Sequence, residues 1–379
     1  MTPGILPPVP PLKPLKRISP SLFPVFRQCK LRATWSSSHV QTLLPLVPDA
    51  RLGFVIHKIL EKAKKGELYG EDGFFSAWTN YINQEENKMR CSWIEKHLVP
   101  LEKTAHNYEL KKQQCVLMVQ NLASIPSHSR AAAKSIQGAA HEVWLQTSDG
   151  KVGGYVDAIV QEDEGDVILE YKTGIIKESG HGSLHSEVRY DYQVQTKLYA
   201  ALYNAMLGKW PISVELMGLD GVRRPIQFHY EECIRLLKEA VKLLDEINSL
   251  ISNAERITAV LRRLASPSPD ICRFCLYRPC CPSYWEKRGS DQREDWPHDA
   301  RGKLKEIKTL KNGLILIKVI SDTETIRVRG LHPDRHIALK TNQDEVSVFS
   351  MIPDKVAGSY REGHFTTIYA GDNNEFNSA

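Results

Sequence analysis

Gly153-Gly-Tyr-Val-Asp157-Ala-Ile-Val160, an acidic turn over 161–166, and then Val167-Ile-Leu-Glu170-Tyr-Lys172-Thr-Gly174 is the stretch that decides the fold. Two short apolar runs flank a polar turn, which predicts a β-hairpin. On a strand, positions 170 and 172 point to the same face, so Glu170 and Lys172 share one pocket. The hairpin can bring Asp157 beside them. Two carboxylates there can hold Mg²⁺ or Mn²⁺ through hard oxygen ligands. The lysine can orient or deprotonate a water and offset charge on a phosphate, which together is the equipment for metal-assisted phosphodiester hydrolysis. The plainer alternative is a solvated hairpin whose charges have no function.

Outward from the hairpin, 51–63 reads RLGFVIHKILEKA. Phe54, Ile56, Ile59 and Leu60, with Val55 nearby, approximate a helical apolar face, and Gly53, His57 and Glu61 recur at i, i+4. A helical histidine is commonly packed or solvated, but a neutral imidazole can also ligate a metal. Downstream, 190–203 reads YDYQVQTKLYAALY, a predicted helix with Gln195 and Tyr199 one turn apart on one face. They suit contacts to a phosphate or base, or simple helix packing. Glu142, just before the hairpin, is a weaker candidate for the same site.

Taken in order, G-x-x-x-H (Gly53/His57), G-x-x-D (Gly154/Asp157), E-x-K (Glu170/Lys172) and Q-x-x-x-Y (Gln195/Tyr199) resemble the RecB-type branch of the PD-(D/E)xK nucleases. The resemblance implies an α/β restriction-endonuclease-like core. In it His57, Asp157 and Glu170 are metal ligands, with the backbone carbonyl of Tyr171 also available, for Mg²⁺ or Mn²⁺. Asp157, Glu170 and Lys172 become the catalytic residues, and Gln195 and Tyr199 a substrate-binding motif.

Four of the eight cysteines crowd into ICRFCLYRPCCPSYW: Cys272, Cys275, Cys280 and Cys281. A C-x2-C pair with another cysteine five residues on is a metal–thiolate pattern, for zinc or for an iron–sulfur cluster. A local zinc site would use all four. The alternative takes a fourth ligand from Cys29, in RISPSLFPVFRQCK. S-P-S followed by a cysteine resembles the opening of the iron–sulfur RecB-like nucleases, which include the CRISPR-associated exonucleases and AddB. That resemblance implies a [4Fe–4S] cluster on Cys29, Cys272, Cys275 and Cys281, stapling the two ends of the nuclease domain. Between Cys280 and Cys281 the adjacent pair leaves the ligand open. Cys91, Cys115 and Cys233 are expected as buried hydrophobes.

The chain of 379 residues suits two domains, with the composition of an ordinary globular protein. A proline-rich tail (1–17) precedes a nuclease domain at 18–288, interrupted by a helical insertion at about 65–135. A polar linker (289–302) follows. Then five period-two runs, 314–320, 325–330, 336–340, 345–350 and 364–370, predict a small all-β OB-like barrel over 303–379. Such a barrel could bind a single strand through Lys318, Arg327, Arg329 and Arg335, with Phe349 or Tyr369 stacking on bases, or could only dock on the nuclease.

Net charge +5 and pI ≈ 8.6 permit a nucleic-acid partner without demanding one. No Walker A loop is present, so unwinding by ATP hydrolysis is not expected of this chain alone. No run reaches transmembrane length, and the start of the chain lacks the apolar segment of a signal peptide, so no membrane partner and a cytoplasmic location are expected. The whole predicts a metal-dependent DNA exonuclease or end-processing nuclease for single-stranded DNA or single-stranded ends. DNA repair, recombination and phage- or CRISPR-type defence are all compatible settings, with a helicase or a CRISPR adaptation complex as possible partners. The rival is a catalytically silent subunit that holds DNA ends within such a machine.

Overall fold

The structure, a computed structural model, describes residues 2–68, 70–123, 140–179, 186–253, 256–291, 295–321, 324–341 and 344–371. At its centre the predicted hairpin forms from β2 (Gly153–Glu162) and β3 (Gly165–Lys172), in register from Ala158↔Leu169 to Glu162↔Gly165. Gly165 turns the chain at φ +143°, and a Cβ there would sit 2.7 Å from Ile212 Cγ2, so the position needs glycine. β1 (Ala140–Gln146) pairs antiparallel with β2. A small ribbon of β4 (Lys177–Ser179) and β5 (Ser186–Val188) leads into the helix α7 (Tyr190–Leu207), numbered in chain order. That helix ends on Gly208 in the left-handed conformation, a common way to stop a helix. It crosses over so that β6 (Ser213–Gly218) can lie parallel to β3, and β7 (Arg223–Pro225) completes a sheet of order β1-β2-β3-β6-β7.

Alternation along β3 sends Ile168 to one face and Leu169 and Tyr171 to the other, and both faces are covered. The first face carries α1 (Phe23–Gln28), α2 (Lys30–Ser37), α7 and α8 (Tyr230–Ser252), with α9 (Ile257–Leu264), α10 (Pro269–Cys272) and α11 (Pro282–Ser290) behind them. The second carries α3 (Pro48–Lys64), which starts on a proline at its first position and ends with Lys62 and Lys64, as the helix dipole favours. On α3 lie α4 (Gly70–Cys91), α5 (Leu101–Thr104) and α6 (Tyr108–Ala123), the helical insertion expected from the sequence; its residues 124–135 fall outside the described residues. The insertion shares one core with α3 and the sheet, Trp78, Met89 and Cys115 packing with Ile56, Leu169 and Tyr171. Arg51 of α3 also reaches Glu95 Oε2 at 2.7 Å and Glu85 Oε2 at 3.4 Å.

The C-terminal unit is a curled sheet of seven strands: β8 (Ala300–Thr309), β9 (Ile315–Ile320), β10 (Thr325–Leu331), β11 (Glu345–Phe349), β12 (Ile352–Pro353), β13 (Ser359–Arg361) and β14 (Thr367–Ala370), in the order β12-β13-β10-β9-β8-β11-β14. Two details differ from the sequence expectation. Residues Ile337–Lys340 form a 3₁₀ turn, with consecutive Ala338 and Leu339 both buried, which a one-faced strand cannot do. The expected linker at 289–302 is shorter, because α11 runs to Ser290 and β8 begins at Ala300; residues 292–294 fall outside the described residues.

This sheet is docked on the α/β body. Phe349 and Tyr369 are buried with Leu43, Leu44 and Cys280, and the Tyr369 hydroxyl donates to the Leu43 carbonyl at 2.6 Å. Neither ring is free to stack on a base, so that expectation is corrected: the same rings serve the seam. Arg335 is likewise engaged, by Glu362 at 2.7 Å and by carbonyls of 363–366. The tail crosses the seam too, with Leu6 N–H donating to Ala370 O at 3.0 Å and Ala370 N–H to Gly4 O at 2.7 Å.

A buried ion pair anchors the seam. Arg278 Nε lies 2.6 Å from Asp299 Oδ2, and Tyr284 and Ser350 complete the hydrogen bonding around the carboxylate. Burial alone would lower the Arg278 pKa and raise that of Asp299, but their mutual attraction reverses both shifts. Removing one partner of such a pair strands the other in low dielectric. Asp299→Ala is therefore expected to lower stability by about 3–5 kcal/mol in urea unfolding, and Arg278→Met with Asp299→Leu by much less. An Asp299→Ala protein as stable as wild type would show the seam carries little of the fold.

Among the described residues no helix is long and apolar enough to cross a membrane.

Candidate active site

Where β2 and β3 part beyond the Ala158↔Leu169 pair, Asp157 Oδ2 accepts the Tyr171 backbone N–H at 2.8 Å. The aspartate is thus held against the strand that carries Glu170 and Lys172. Lys172 Nζ lies 3.0 Å from Glu170 Oε1 and 2.8 Å from Gln195 Oε1, and Gln195 Nε2 donates to the same Glu170 oxygen at 2.6 Å. The closed triangle orients the glutamine amide unambiguously, oxygen to lysine and nitrogen to carboxylate. Lys172 also lies 4.8 Å from the centroid of the Tyr192 ring, one turn before Gln195 on α7.

Glu170 is buried, and its second oxygen, Oε2, has no hydrogen-bond partner. Burial pushes its pKa up; Lys172 opposes that shift and the neighbouring Asp157 adds to it. A buried carboxylate oxygen without a donor is costly, and a hard cation is the group that would satisfy it. The donor set therefore fits a divalent metal at Asp157 and Glu170.

His57 reaches the same cleft from α3. Its ring stays open to the cleft, yet enough protein crowds it for desolvation to lower its pKa, with Asp157 opposing and Lys172 and Lys64 reinforcing. Among the described residues no three His, Cys, Asp or Glu side chains converge closely enough to hold one ion, so His57, Asp157 and Glu170 adjoin without closing on a point. Tyr171, whose carbonyl was a further candidate, pairs with Met217 of β6.

The glycines of the two short motifs have steric reasons. A Cβ on Gly53 would stand 3.1 Å from Thr173 Oγ1, so the helix bearing His57 can press against the turn after Lys172. One on Gly154 would stand 2.9 Å from Pro20 Cδ and 3.3 Å from the Tyr199 hydroxyl. Tyr199 itself is buried and donates to the Tyr155 carbonyl at 2.6 Å. Its side chain thus clamps β2 two residues before Asp157 and does not face the cleft. Gln195, also buried, is a positioning group for Glu170 and Lys172. Both were expected on the substrate side; the structure gives them partners within the protein. Glu142 holds Lys65 at 3.6 Å and stands at φ +51°, a left-handed backbone unusual for a strand.

Lys64 was not singled out by the sequence reading. Its ammonium lies 3.7 Å from the Tyr171 ring centroid, and it feels both Asp157 and Glu170, although burial lowers its pKa. Its only sequence signal is its place two helical turns after His57 on α3. The cleft, about 960 Å³, runs from Phe54 and His57 past Lys172 and Tyr192 to Arg224.

Apart from the cleft, Cys29, Cys272, Cys275 and Cys281 line one small cavity with Trp35 and Tyr284. Cys29 sits between α1 and α2 with an extended backbone (φ −154°), which breaks the helix there. Burial pushes the Cys272 thiol up to about 12 and raises Cys275 and Cys281 as well. Cys280 points the other way: its thiol faces the Tyr277 carbonyl at 3.7 Å, inside the seam with Phe349 and Tyr369. Among the described residues no three such side chains, these thiols included, converge closely enough to hold one ion. Cys115 and Cys233 are buried as expected, but Cys91 is exposed on the last turn of α4.

No curated protein matches the chain. Among solved structures it is similar to a candidate exonuclease from Eubacterium rectale, with 10% identity and a TM-score of 0.34 over 62% of this chain and 80% of that one. The profile of the PD-(D/E)XK nuclease superfamily matches residues 17–282, a span that takes in the hairpin, α3, α7 and all four clustered thiols, and the chain belongs to that superfamily.

Proposed function

We propose that this nuclease is a divalent-metal-dependent deoxyribonuclease that trims DNA ends, acting on single strands or single-stranded ends. The observation that carries the reading is the buried, partnerless Oε2 of Glu170 beside Asp157, with Lys172 hydrogen-bonded to the other oxygen. Asp157 and Glu170 would hold Mg²⁺ or Mn²⁺, with His57 and the Tyr171 carbonyl as further ligands. When bound, the ion supplies Lewis acidity to the scissile phosphate and acidifies a water. Lys172 orients that water and offsets the charge that builds on the phosphoryl oxygens. Gln195 keeps Lys172 and Glu170 in register, and Tyr199 keeps β2 and Asp157 in place.

Lys64, seated on the Tyr171 ring and attracted by both carboxylates, is assigned a contact to the phosphate next to the one cut. Lys64→Ala is expected to reduce kcat/KM for an end-labelled strand about 10- to 100-fold, with Lys64→Arg recovering most of it. An equal loss in both variants would reduce Lys64 to a packing partner of Tyr171.

Cys29, Cys272, Cys275 and Cys281 would hold a [4Fe–4S] cluster, which supplies a cross-link and no chemistry to a hydrolysis. It would tie the start of the nuclease domain to its end. The setting, whether repair, recombination or defence, and any helicase or CRISPR adaptation partner are extensions of the same reading.

The experiment that tests it is incubation of anaerobically purified protein with single-stranded DNA labelled separately at each end, in Mg²⁺, Mn²⁺ or EDTA. Metal-dependent shortening is expected, and the label released first gives the polarity. Binding without cleavage in every metal would favour the silent end-holding subunit.

A further inference from the structure

The outward face of the C-terminal sheet carries cations in adjoining rows. Register places Arg327 of β10 opposite Lys318 of β9, and Arg361 of β13 beside Arg329 of β10. Lys303 and Lys308 extend the same face on β8, opposite Ile320 and Leu316. Arg327, Arg329, Arg361, Lys303 and Lys308 are all exposed. Glu306 opposite Lys318, Glu345 opposite Lys303 and Asp354 at 2.7 Å from Arg329 Nε offset part of this charge and leave Arg327, Lys308 and Arg361 with no carboxylate directly across the ladder.

Like charges directly opposite on neighbouring strands destabilise a sheet. Solubility needs no such arrangement, because alternating signs would solvate the face equally well. The conflict is relieved by an anion that bridges the rows. Neighbouring strands lie about 4.8 Å apart and same-face residues about 6.6 Å apart along each strand. The cations therefore form a grid that a flexible chain of phosphates can follow.

The same face is continuous with the nuclease body. Toward β11 and β14 it carries Phe349 and Tyr369 into the seam, and Arg301 stacks 5.0 Å from the Trp285 ring centroid. We infer that this face binds the phosphodiester backbone of single-stranded DNA beyond the part held in the cleft. Because its rings are buried in the seam, contact is through phosphates and is indifferent to base sequence. The inference rests on the reading of the chain as a DNA-end nuclease.

The test compares the full chain with Arg327→Glu/Arg361→Glu. Affinity is measured by fluorescence anisotropy in Ca²⁺, against a strand short enough for the cleft alone and one several times longer, over a series of salt concentrations. The expected result is a roughly 10- to 30-fold loss for the long strand near 0.1 M salt, with a log–log salt slope shallower by about 1.4, and no change for the short strand. Thermal stability should rise, because each new glutamate faces a cation, Lys318 or Arg329. The milder Arg327→Gln/Arg361→Gln should lose about half as much on the logarithmic scale, which guards against misfolding in the reversal. Unchanged long-strand affinity, an equal loss for both strands, or binding of phosphatidylserine vesicles in place of DNA would each overturn the inference. If the short strand is still cut, it falls alone; if the wild type neither binds nor cuts any strand, the proposed function falls with it.

Discussion

Lys172→Ala is expected to slow DNA cleavage by at least about a hundred-fold while leaving strand affinity close to wild type. Electrostatic groups aimed at developing charge in a water-poor site contribute on that scale. Lys172 meets the description: half-buried, hydrogen-bonded to Glu170 and Gln195, and seated over Tyr192 at the floor of the cleft. The check is single-turnover cleavage of an end-labelled strand in Mg²⁺ and Mn²⁺, with binding followed separately in Ca²⁺. Circular dichroism is needed alongside, because the variant leaves buried Glu170 with Gln195 as its remaining side-chain hydrogen-bond donor. Cleavage retained in a folded Lys172→Ala protein would remove the lysine from the chemistry, and cleavage lost together with folding would call for Lys172→Met. Gln195→Ala should show a smaller loss, since the lysine would keep its carboxylate partner but not its second anchor.

The second large effect concerns colour and stability. Cys281→Ser, like Cys29→Ser, is expected to abolish the visible absorbance and bound iron of anaerobically purified protein, whereas Cys280→Ser keeps both. The two cysteines are neighbours in the chain, but only Cys281 shares the cavity with Cys29, Cys272 and Cys275. A link from Cys29 to the 272–281 loop closes most of the nuclease domain. By the loop-closure argument for covalent cross-links its loss should cost about 5 kcal/mol. Thermal unfolding with iron and zinc analysis of each variant decides it. A colourless, zinc-loaded wild type that loses its metal in Cys280→Ser would establish the local four-thiolate site instead.

The hairpin was legible because its signals are local. Period-two alternation, an acidic turn and the two-residue spacing of Glu170 and Lys172 all lie within one pair of strands, and strand geometry converts that spacing directly into a shared face. Helix periodicity likewise placed His57 on α3 and Gln195 on α7. Other features depended on what packs against an element. Phe349 and Tyr369 read as exposed rings on a barrel, yet a sheet face can meet either solvent or a second core, and here it meets Leu43 and Leu44. Tyr199 shares a helical face with Gln195, but the approach of β2 at Gly154 turns its hydroxyl to a backbone carbonyl.

What the sequence alone determined is the chemistry in reach: two carboxylates and a lysine on one hairpin, in a motif order whose resemblance to a known family implied an α/β nuclease fold. Short-range periodicity and motif spacing carry that information, because they are properties of the chain itself. Only the tertiary structure decided which of two adjacent cysteines lines a cavity with Cys29, Cys272 and Cys275, that Lys64 stands over Tyr171, and that the C-terminal sheet hides its rings while presenting its cations. Those outcomes depend on contacts between segments up to hundreds of residues apart, where burial and register are settled by neighbours that no local pattern names.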